Sequence, residues 1–279
     1  MYIKCWGSRG SIPVSGGEYV RYGGDTTCLE IRTEDGQVVV VDAGTGIRRL
    51  GRRLLEEKQS LCHVIFTHAH WDHLLGFPFF EPIYRDDWTI HVYKCPESDN
   101  YVGKMLGTVM APPNFPVRFE DLPSKVIFED GCPDDFTIGT LSIRSIPLSH
   151  PNGGRGYRFE EGGKSFVFLT DNELEFIHPG GRSWEEYVEF SKGADLLVHD
   201  GEYTPEEYRN RKGWGHSRYN DAVKLAMDAE VGCLGLFHTN AERSDDAMDA
   251  IVERSRRLIG DGGSSVKCVG VAAGDVFEL

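Results

Sequence analysis

Four side chains that commonly bind metals lie close together in the ten-residue stretch THAHWDHLLG, from Thr67 to Gly76. They are His68, His70, Asp72 and His73. Imidazole and carboxylate groups bind borderline cations such as zinc, and side chains at alternating positions of an extended turn point the same way. Because one cation would leave ligands of this stretch unused, the sequence predicts two. The alternative is a surface loop that holds histidines without a metal, and the clustering disfavours it.

Several strand-like runs are followed directly by these or by other candidate metal-binding side chains. The run Val64-Ile65-Phe66-Thr67 is β-branched and aromatic, which predicts a buried strand that delivers the four side chains to one turn. Three further candidate ligands follow apolar runs in the same way: His150, Asp171 and His238. Because they share this placement, each of them is a stronger candidate ligand than an isolated polar residue would be.

The pattern H-x-H-x-D-H after a hydrophobic strand resembles the signature of the metallo-β-lactamase-fold hydrolases, and the resemblance covers essentially the whole chain. It implies an α/β fold, namely a four-layer αββα sandwich, with two divalent metal ions that are zinc or, as alternatives, manganese or iron. The implied ligands form a first site, a second site and a bridge: His68, His70 and His150; Asp72, His73 and His238; and Asp171. An aspartate at the bridge differs from the residue usual in antibiotic-degrading β-lactamases.

A weak internal repeat agrees with that architecture. A strand, a glycine-containing turn and an apolar strand lead to Asp42, and a similar series leads to Asp171. A helix and a further strand then lead to His68 in the first half and to His199 in the second. Such a repeat predicts two βα halves with the metal pocket between the sheets at the strand ends. For Asp42, support of a ligand imidazole and a structural turn are equally good interpretations.

A proline- and aromatic-rich segment follows the main motif. We expect residues 1–279 to form one domain, because no linker-like stretch divides the chain. Within it, the proline and aromatic content of residues 76–125 predicts an insertion that covers one side of the pocket. Its apolar side chains either contact substrate or simply pack against the core: Phe79, Phe80, Met105 and Phe115.

Charge and composition limit the partners. The formal net charge is −14, and nonspecific affinity for nucleic acid comes mainly from phosphate neutralisation by Lys and Arg. We therefore expect a small, anionic substrate and do not expect tRNA or DNA. No apolar run approaches the ~18 residues of a membrane span. Seven scattered cysteines suggest free thiols in a reducing compartment, so we expect a cytoplasmic protein, and a homodimer is one oligomeric state left open.

A histidine and an acidic residue lie near two predicted helix starts, one at Thr204 and one at about Arg218. His216 precedes a predicted helix from about Arg218 to Ala229, and a helix N-terminus disfavours the protonated imidazole unless a carboxylate compensates. Asp200 is the candidate carboxylate. The pair resembles the His and acid pair of tRNase Z and related phosphodiesterases, in which the histidine stabilises the scissile phosphate or protonates the leaving group. For the neighbouring His199, functional and structural roles are equally supported.

Other segments resemble bacterial metallo-hydrolases grouped near the phosphonate-pathway and cyclic-nucleotide phosphodiesterases: WGSRGSIPV, YGGDTTCLEI, VDAGTGIRRLG, GFPFFEPIY and PPNFPV. The sequence therefore predicts a metal-dependent hydrolase that acts on a small phosphodiester. Asp72 would orient the hydroxide, and His216, supported by Asp200, would assist the leaving group. Hydrolysis of a carboxylic ester, thioester or lactone is the alternative on the same ligands. A di-iron redox centre or a metal-stabilised binding module is a third interpretation.

Overall fold

The computed structural model describes residues 1–93, 101–129 and 135–279. Within these residues there are fourteen strands: β1 (Tyr2–Gly7), β2 (Cys28–Arg32), β3 (Val38–Val41), β4 (Leu61–Ile65), β5 (Thr89–Tyr93), β6 (Lys125–Glu129), β7 (Asp135–Ile138), β8 (Leu141–Pro147), β9 (Arg155–Glu161), β10 (Lys164–Leu169), β11 (Leu196–Asp200), β12 (Cys233–Phe237), β13 (Lys267–Gly270) and β14 (Val276–Glu278). The α-helices of the same residues are α1 (Ile47–Glu56), α2 (Trp71–Leu74), α3 (Tyr101–Val109), α4 (Trp184–Ser191), α5 (Pro205–Tyr208), α6 (Tyr219–Asp228) and α7 (Asp245–Asp261).

The strands form two seven-stranded sheets. Their orders are β14-β1-β2-β3-β4-β5-β6 and β13-β12-β11-β10-β9-β8-β7. Each sheet is mixed: β1 to β3 and β7 to β10 pair antiparallel, whereas β3 to β6 and β10 to β13 pair parallel. Parallel neighbours need a crossover, and helices such as α1 between β3 and β4 supply it.

Alternation along the strands separates the core into three layers of apolar contacts. Val39 and Val41 of β3 pack with Phe166 of β10 between the two sheets. Val38 and Val40 point the other way, into a cluster that includes α1. A third cluster joins the second sheet to α4, α6 and α7. Because successive strand residues face opposite sides, one apolar strand can serve two layers. The predicted four-layer αββα sandwich is confirmed.

The predicted elements agree closely with the observed ones, with small differences at their ends. The predicted strand through Thr67 ends earlier, at Ile65, because the Thr67 amide and hydroxyl both donate to the carboxylate of Asp42 at 2.8 and 2.7 Å. The helix predicted before His199 in the second half of the internal repeat is present as α4. Its Ser183 cap accepts a hydrogen bond from the Glu186 amide, which satisfies a free amide of the first turn.

The two halves of the internal repeat correspond to β2-β3-α1-β4 and β9-β10-α4-β11. In both, an antiparallel pair is followed by a parallel neighbour. Asp42 directly follows β3, and one residue, Thr170, separates Asp171 from the end of β10. The two carboxylates therefore stand at equivalent strand ends of the two sheets.

The segment at residues 76–125 contains short 3₁₀ turns, β5 and α3. Phe80 is fully buried and packs edge-on against Trp88, so it belongs to the core. The part of this region at residues 94–100, including Cys95, lies outside the described residues, as does Cys132. The five described cysteines are free thiols. No helix among the described residues has the length and apolar character that crossing a membrane requires.

Candidate metal centre

Loops at the carboxyl ends of strands from both sheets bring the candidate ligands together. His68 follows β4 of the first sheet. Asp171 and His238 follow β10 and β12 of the second, and His150 follows β8. Since the two sheets face each other, these strand ends meet at one edge of the sandwich. The site is thus assembled from segments far apart in the sequence.

The first cluster joins four side chains whose potential ligand atoms all lie within 4.8 Å of one another: His68, His70, His150 and Asp171. Nε2 of His150 lies 2.9 Å from Nδ1 of His70. Two imidazole nitrogens at this separation need a proton or a cation between them, because two lone pairs repel each other. The cluster is therefore a candidate cation site.

The second cluster shares one residue with the first: Asp72, His73, Asp171 and His238. Oδ2 of Asp171 lies 3.5 Å from Nε2 of His73 and 3.3 Å from Nε2 of His238. Oδ2 of Asp72 lies 3.1 Å from Nε2 of His238. The same oxygen accepts a hydrogen bond from the Ser11 amide at 2.9 Å. Asp171 is thus placed between the two clusters, where a bridging carboxylate would stand.

Two buried ring nitrogens show that these clusters fit a cation. Nε2 of His68 and Nε2 of His73 have no hydrogen-bond partner among the described residues. Each lies 3.5 Å from Oδ2 of Asp171, which is beyond good hydrogen-bonding distance. An unsatisfied buried polar atom is costly. A cation in each cluster, held by the ring nitrogen there and by Asp171, would remove that cost, and nitrogen and carboxylate donors suit zinc.

The protonation of the histidines follows from their surroundings. Burial lowers the pKa of His150 to about 3 and that of His68 well below its usual value, so both rings are neutral, which is the ligating form. Burial also acts to lower the pKa of His73 and His238. Nearby carboxylates, including Asp72 and Asp171, outweigh it and raise both values. Without a cation these two rings hold protons, which a cation would displace.

Asp42 holds the ring of His73 from the side opposite the cluster. Nδ1 of His73 donates to Oδ2 of Asp42 at 2.8 Å. The Asp42 carboxylate also accepts from the amide and hydroxyl of Thr67. Its backbone has φ of 62°, a left-handed conformation that few non-glycine residues adopt. The arrangement leaves Nε2 of His73 directed at the cluster, as support of a ligand imidazole requires.

Two further histidines of the clusters are oriented in the same way. Nδ1 of His150 donates to the carbonyl of Gly215 at 2.8 Å. Nδ1 of His238 donates to Oε2 of Glu202 at 2.9 Å. Glu202 was not predicted from the sequence. Its one signal is its position two residues after the end of β11, close to Asp200.

His216 stands beside the second cluster and is paired with two carboxylates. Its Nδ1 lies 3.3 Å from Oδ2 of Asp200 and 3.5 Å from Oε2 of Glu202. Its ring stacks on that of His238 with centroids 4.5 Å apart. Burial lowers the pKa of His216, but Glu202 and Asp200 outweigh burial and raise it to about 9. The expected carboxylate partner, Asp200, is therefore present and shares the role with Glu202.

His199 lies outside both clusters. Its Nδ1 donates to the carbonyl of Asp200 at 2.7 Å, and its Nε2 lies 3.2 Å from the side-chain amide of Asn172. Both ring nitrogens thus have partners at or just beyond strand ends of the second sheet. Of the two interpretations of His199, this geometry favours the structural one.

Glu173 is a second residue that the sequence did not reveal. Its carboxylate is completely buried and accepts four hydrogen bonds. The donors are Nε2 of His178 at 2.9 Å, the Tyr208 hydroxyl at 2.6 Å, and the amides of Gly213 and Gly215 at 2.7 Å each. The carbonyl of Gly215 also accepts a hydrogen bond from His150, and Gly215 directly precedes His216. Glu173 thus anchors the loop that orients residues of the candidate site.

Comparison with known proteins identifies relatives with this architecture. Ribonuclease Z of Azobacteroides pseudotrichonymphae is 24% identical over 248 residues, covering 77% of this chain and 82% of that protein. The crystal structure of human tRNase Z, short form, superposes with a TM-score of 0.67 at 16% identity, covering 100% of this chain and 99% of that one. Zn²⁺-bound PqqB from Methylobacterium extorquens gives a TM-score of 0.68 at 16% identity and covers both chains fully.

These relatives overturn one expectation. Our expectation that tRNA is not a partner is wrong, because the curated relatives are ribonuclease Z enzymes that align with most of this chain. The physical reason is that net charge describes the whole surface, whereas binding depends on the local field. The model of the β-lactamase superfamily domain matches residues 37–239, which is more than half of the chain. The protein thus belongs to the β-lactamase superfamily, and the predicted class of metal-dependent hydrolase is confirmed.

Proposed function

We propose that the protein is a phosphodiesterase with a dinuclear metal centre. The observation that carries the proposal is the shared Asp171, which stands in both ligand clusters beside a histidine held by two carboxylates. The first feature supports two adjacent cations. The second, His216, supports chemistry in which a poor leaving group needs a proton. The ribonuclease relatives support the choice of a phosphodiester.

The proposed metal ligands are those of the two clusters: His68, His70, Asp72, His73, His150, Asp171 and His238. Their nitrogen and carboxylate donors favour zinc, with manganese or iron as alternatives. Divalent cations held there would supply Lewis acidity toward a phosphoryl oxygen and toward water. Elemental analysis of the purified protein identifies them, and a visible absorption spectrum separates an iron centre from a zinc centre.

The protein's own side chains supply orientation and a proton. Asp72 is fixed by the Ser11 amide and by His238, so its carboxylate can orient the attacking water. Nδ1 of His216 is directed at Asp200 and Glu202. Its Nε2 is then the nitrogen that donates to the leaving oxygen. Asp200 keeps His216 in place. Its carboxylate also accepts hydrogen bonds from the backbone amides of Ser217 at 2.9 Å and Asn172 at 3.0 Å.

A panel of substrates tests the proposal. We propose a small phosphodiester as the first substrate, and an RNA arm is included because the same bond occurs there. Metal-loaded protein is assayed with bis(4-nitrophenyl) phosphate, a cyclic nucleotide, a tRNA transcript, 4-nitrophenyl phosphate, a thioester and a lactone. We expect hydrolysis of phosphodiesters to exceed that of the other classes. Preferred turnover of the thioester or the lactone would overturn the proposal in favour of carbonyl chemistry on the same ligands.

A further inference from the structure

The chain segment of residues 8–11 lies against two of the proposed metal ligands. It directly follows β1, and its last residue, Ser11, donates its backbone amide to Oδ2 of Asp72 at 2.9 Å. The same carboxylate oxygen lies 3.1 Å from Nε2 of His238. Asp72 and His238 both belong to the second cluster. The segment therefore contacts that cluster through its backbone.

Gly10 packs against the ring of His238 because it has no side chain. A Cβ atom at this position would lie 2.3 Å from both Nδ1 and Cε1 of His238, which is closer than van der Waals contact allows. The backbone of Gly10 therefore lies directly on the imidazole, whose Nδ1 donates to Glu202. A methyl group at residue 10 would displace the ring.

The same segment also pairs with the backbone next to His238. The amide of Thr239 donates to the carbonyl of Ser8 at 3.0 Å, and the carbonyl of Thr239 accepts from the amide of Gly10 at 2.9 Å. His238 itself has φ of 55°, a left-handed conformation that non-glycine residues rarely adopt. The two hydrogen bonds help to hold this unfavourable conformation. The segment thus fixes both the ring and the backbone of a proposed ligand.

Arg9 holds the segment in place. Its side chain is only 1% exposed and donates to three backbone carbonyls. Nε and Nη2 donate to Gly23 at 3.2 and 2.9 Å, and Nη1 donates to Asn240 at 3.1 Å and to Arg243 at 2.9 Å. Because a buried cation is costly unless its donors are bonded, these contacts leave the guanidinium little freedom.

The three carbonyls belong to loops of different sheets. Gly23 precedes β2 of the first sheet, whereas Asn240 and Arg243 follow β12 of the second. The backbone of Arg9 forms bridges to the same two loops. Arg9 therefore joins the two sheets at the edge where the clusters lie. A lysine presents one nitrogen instead of a planar fork, so it would keep only part of these hydrogen bonds.

We propose that Arg9 is a positioning residue for the second cation: through residues 8–11 it holds Asp72 and His238 where that cation would bind. The inference rests on the proposed function, because this cation is part of the proposed dinuclear centre. Since the segment contacts ligands of the second cluster, loss of Arg9 should weaken one cation selectively. A residue that only stabilised the fold would show no such preference.

The two zinc affinities of the metal-loaded protein test this inference, and competition with a chromophoric chelator measures them. We expect Arg9→Met to weaken the cation of the second cluster about 10- to 100-fold and the other by at most about twofold. Cadmium NMR locates the change, since His73→Ala identifies the resonance of the second cluster. Arg9→Lys should give a smaller, equally selective loss. Arg257→Met, which removes a 73% exposed side chain on α7, is the control and should have no effect.

Gly10→Ala tests the same positioning with Arg9 unchanged. Because the added methyl group would displace the ring of His238, we expect a selective loss at the second cluster. Gly17→Ala is the matched control, since a Cβ atom there has no neighbouring atom of the described residues within 4 Å. If Arg9→Met fails to fold, Arg9→Lys and Gly10→Ala decide the question by the same measurement.

The outcomes separate this inference from the proposed function. Equal weakening of both cations, or a lower melting temperature with both affinities unchanged, would assign Arg9 to general stability and overturn the inference. Unchanged zinc binding in Gly10→Ala would also overturn it, because the contact with His238 would then have no effect. A selective loss in a protein that hydrolyses no phosphodiester would retain the role of Arg9 and reject the function. Phosphodiester hydrolysis without a selective loss in the Arg9 variants would do the reverse.

Discussion

Oε2 of Glu202 accepts a hydrogen bond from Nδ1 of His238 at 2.9 Å. The same oxygen lies 3.5 Å from Nδ1 of His216. One buried carboxylate therefore contacts a proposed metal ligand and the proposed general acid. Since a carboxylate behind a ligand imidazole raises its basicity and fixes its orientation, Glu202 links metal affinity to the position of the acid.

Replacing that carboxylate should weaken one cation site. Glu202→Gln keeps the shape of the side chain but removes its charge, so we expect metal affinity at the second cluster to fall about 10- to 100-fold. Competition with a chromophoric chelator measures the change. Glu206→Gln, at an exposed position on α5, is the control and should have no effect. Unchanged affinity in Glu202→Gln would remove this residue from the supporting set.

Asp171 should contribute to the binding of both cations. Because it belongs to both clusters, Asp171→Ala is expected to lower both occupancies, whereas loss of a ligand from one cluster would affect one. Elemental analysis after gel filtration gives the metal content per chain. The exposed Asp86→Ala variant should bind metal normally. Full occupancy in Asp171→Ala would contradict the bridging position.

Metal removal should destabilise the fold. The proposed ligands come from four separate segments between His68 and His238, so binding in the folded state adds to its stability. We expect an excess of chelator to lower the melting temperature and to stop turnover. Asp171→Ala should show a smaller decrease, because it has less metal to lose. An unchanged melting temperature after confirmed metal loss would contradict this coupling.

The fold was predictable because the motif after β4 resembles that of the metallo-β-lactamase-fold hydrolases, and the same resemblance implied the candidate ligand set. His150, Asp171 and His238 each follow an apolar strand, and strand ends of facing sheets meet at one edge. The motif after β4 adds four ligands in one turn. Local position thus identified the candidate ligands, and the resemblance implied how they divide between two cations.

The residues that the sequence did not reveal depend on contacts that no local pattern encodes. Glu173 accepts hydrogen bonds from the amides of Gly213 and Gly215 only because the fold brings together residues about forty positions apart in the sequence. Glu202 gains its role only when β11 and β12 lie side by side. In the sequence both are ordinary acidic residues. The tRNA expectation was wrong for a related reason, since a summed charge carries no spatial information.

Glu173 provides a test of that long-range contact. Glu173→Gln would weaken four hydrogen bonds to a buried carboxylate, and we expect a loss of about 1–3 kcal/mol in the free energy of unfolding. The rate constant kcat should also fall, because the Gly215 carbonyl orients His150. Urea denaturation and steady-state kinetics measure the two effects. Glu175→Gln, which removes a half-exposed charge 3.0 Å from Arg218, should change stability by at most about 0.5 kcal/mol.

His216 tests the reaction class. If it protonates the leaving group, His216→Ala should retain both metals, since other residues form the proposed ligand set, yet lose about 10²–10⁴-fold in rate on an alkyl phosphodiester. With a nitrophenolate leaving group, which departs without a proton, the loss should be much smaller. Rates on the two substrates and metal content of the same preparation are the measurements. Equal losses on both substrates would show that His216 binds the phosphate or organises the pocket, and no loss on either would give it a structural role and favour the thioester and lactone alternatives.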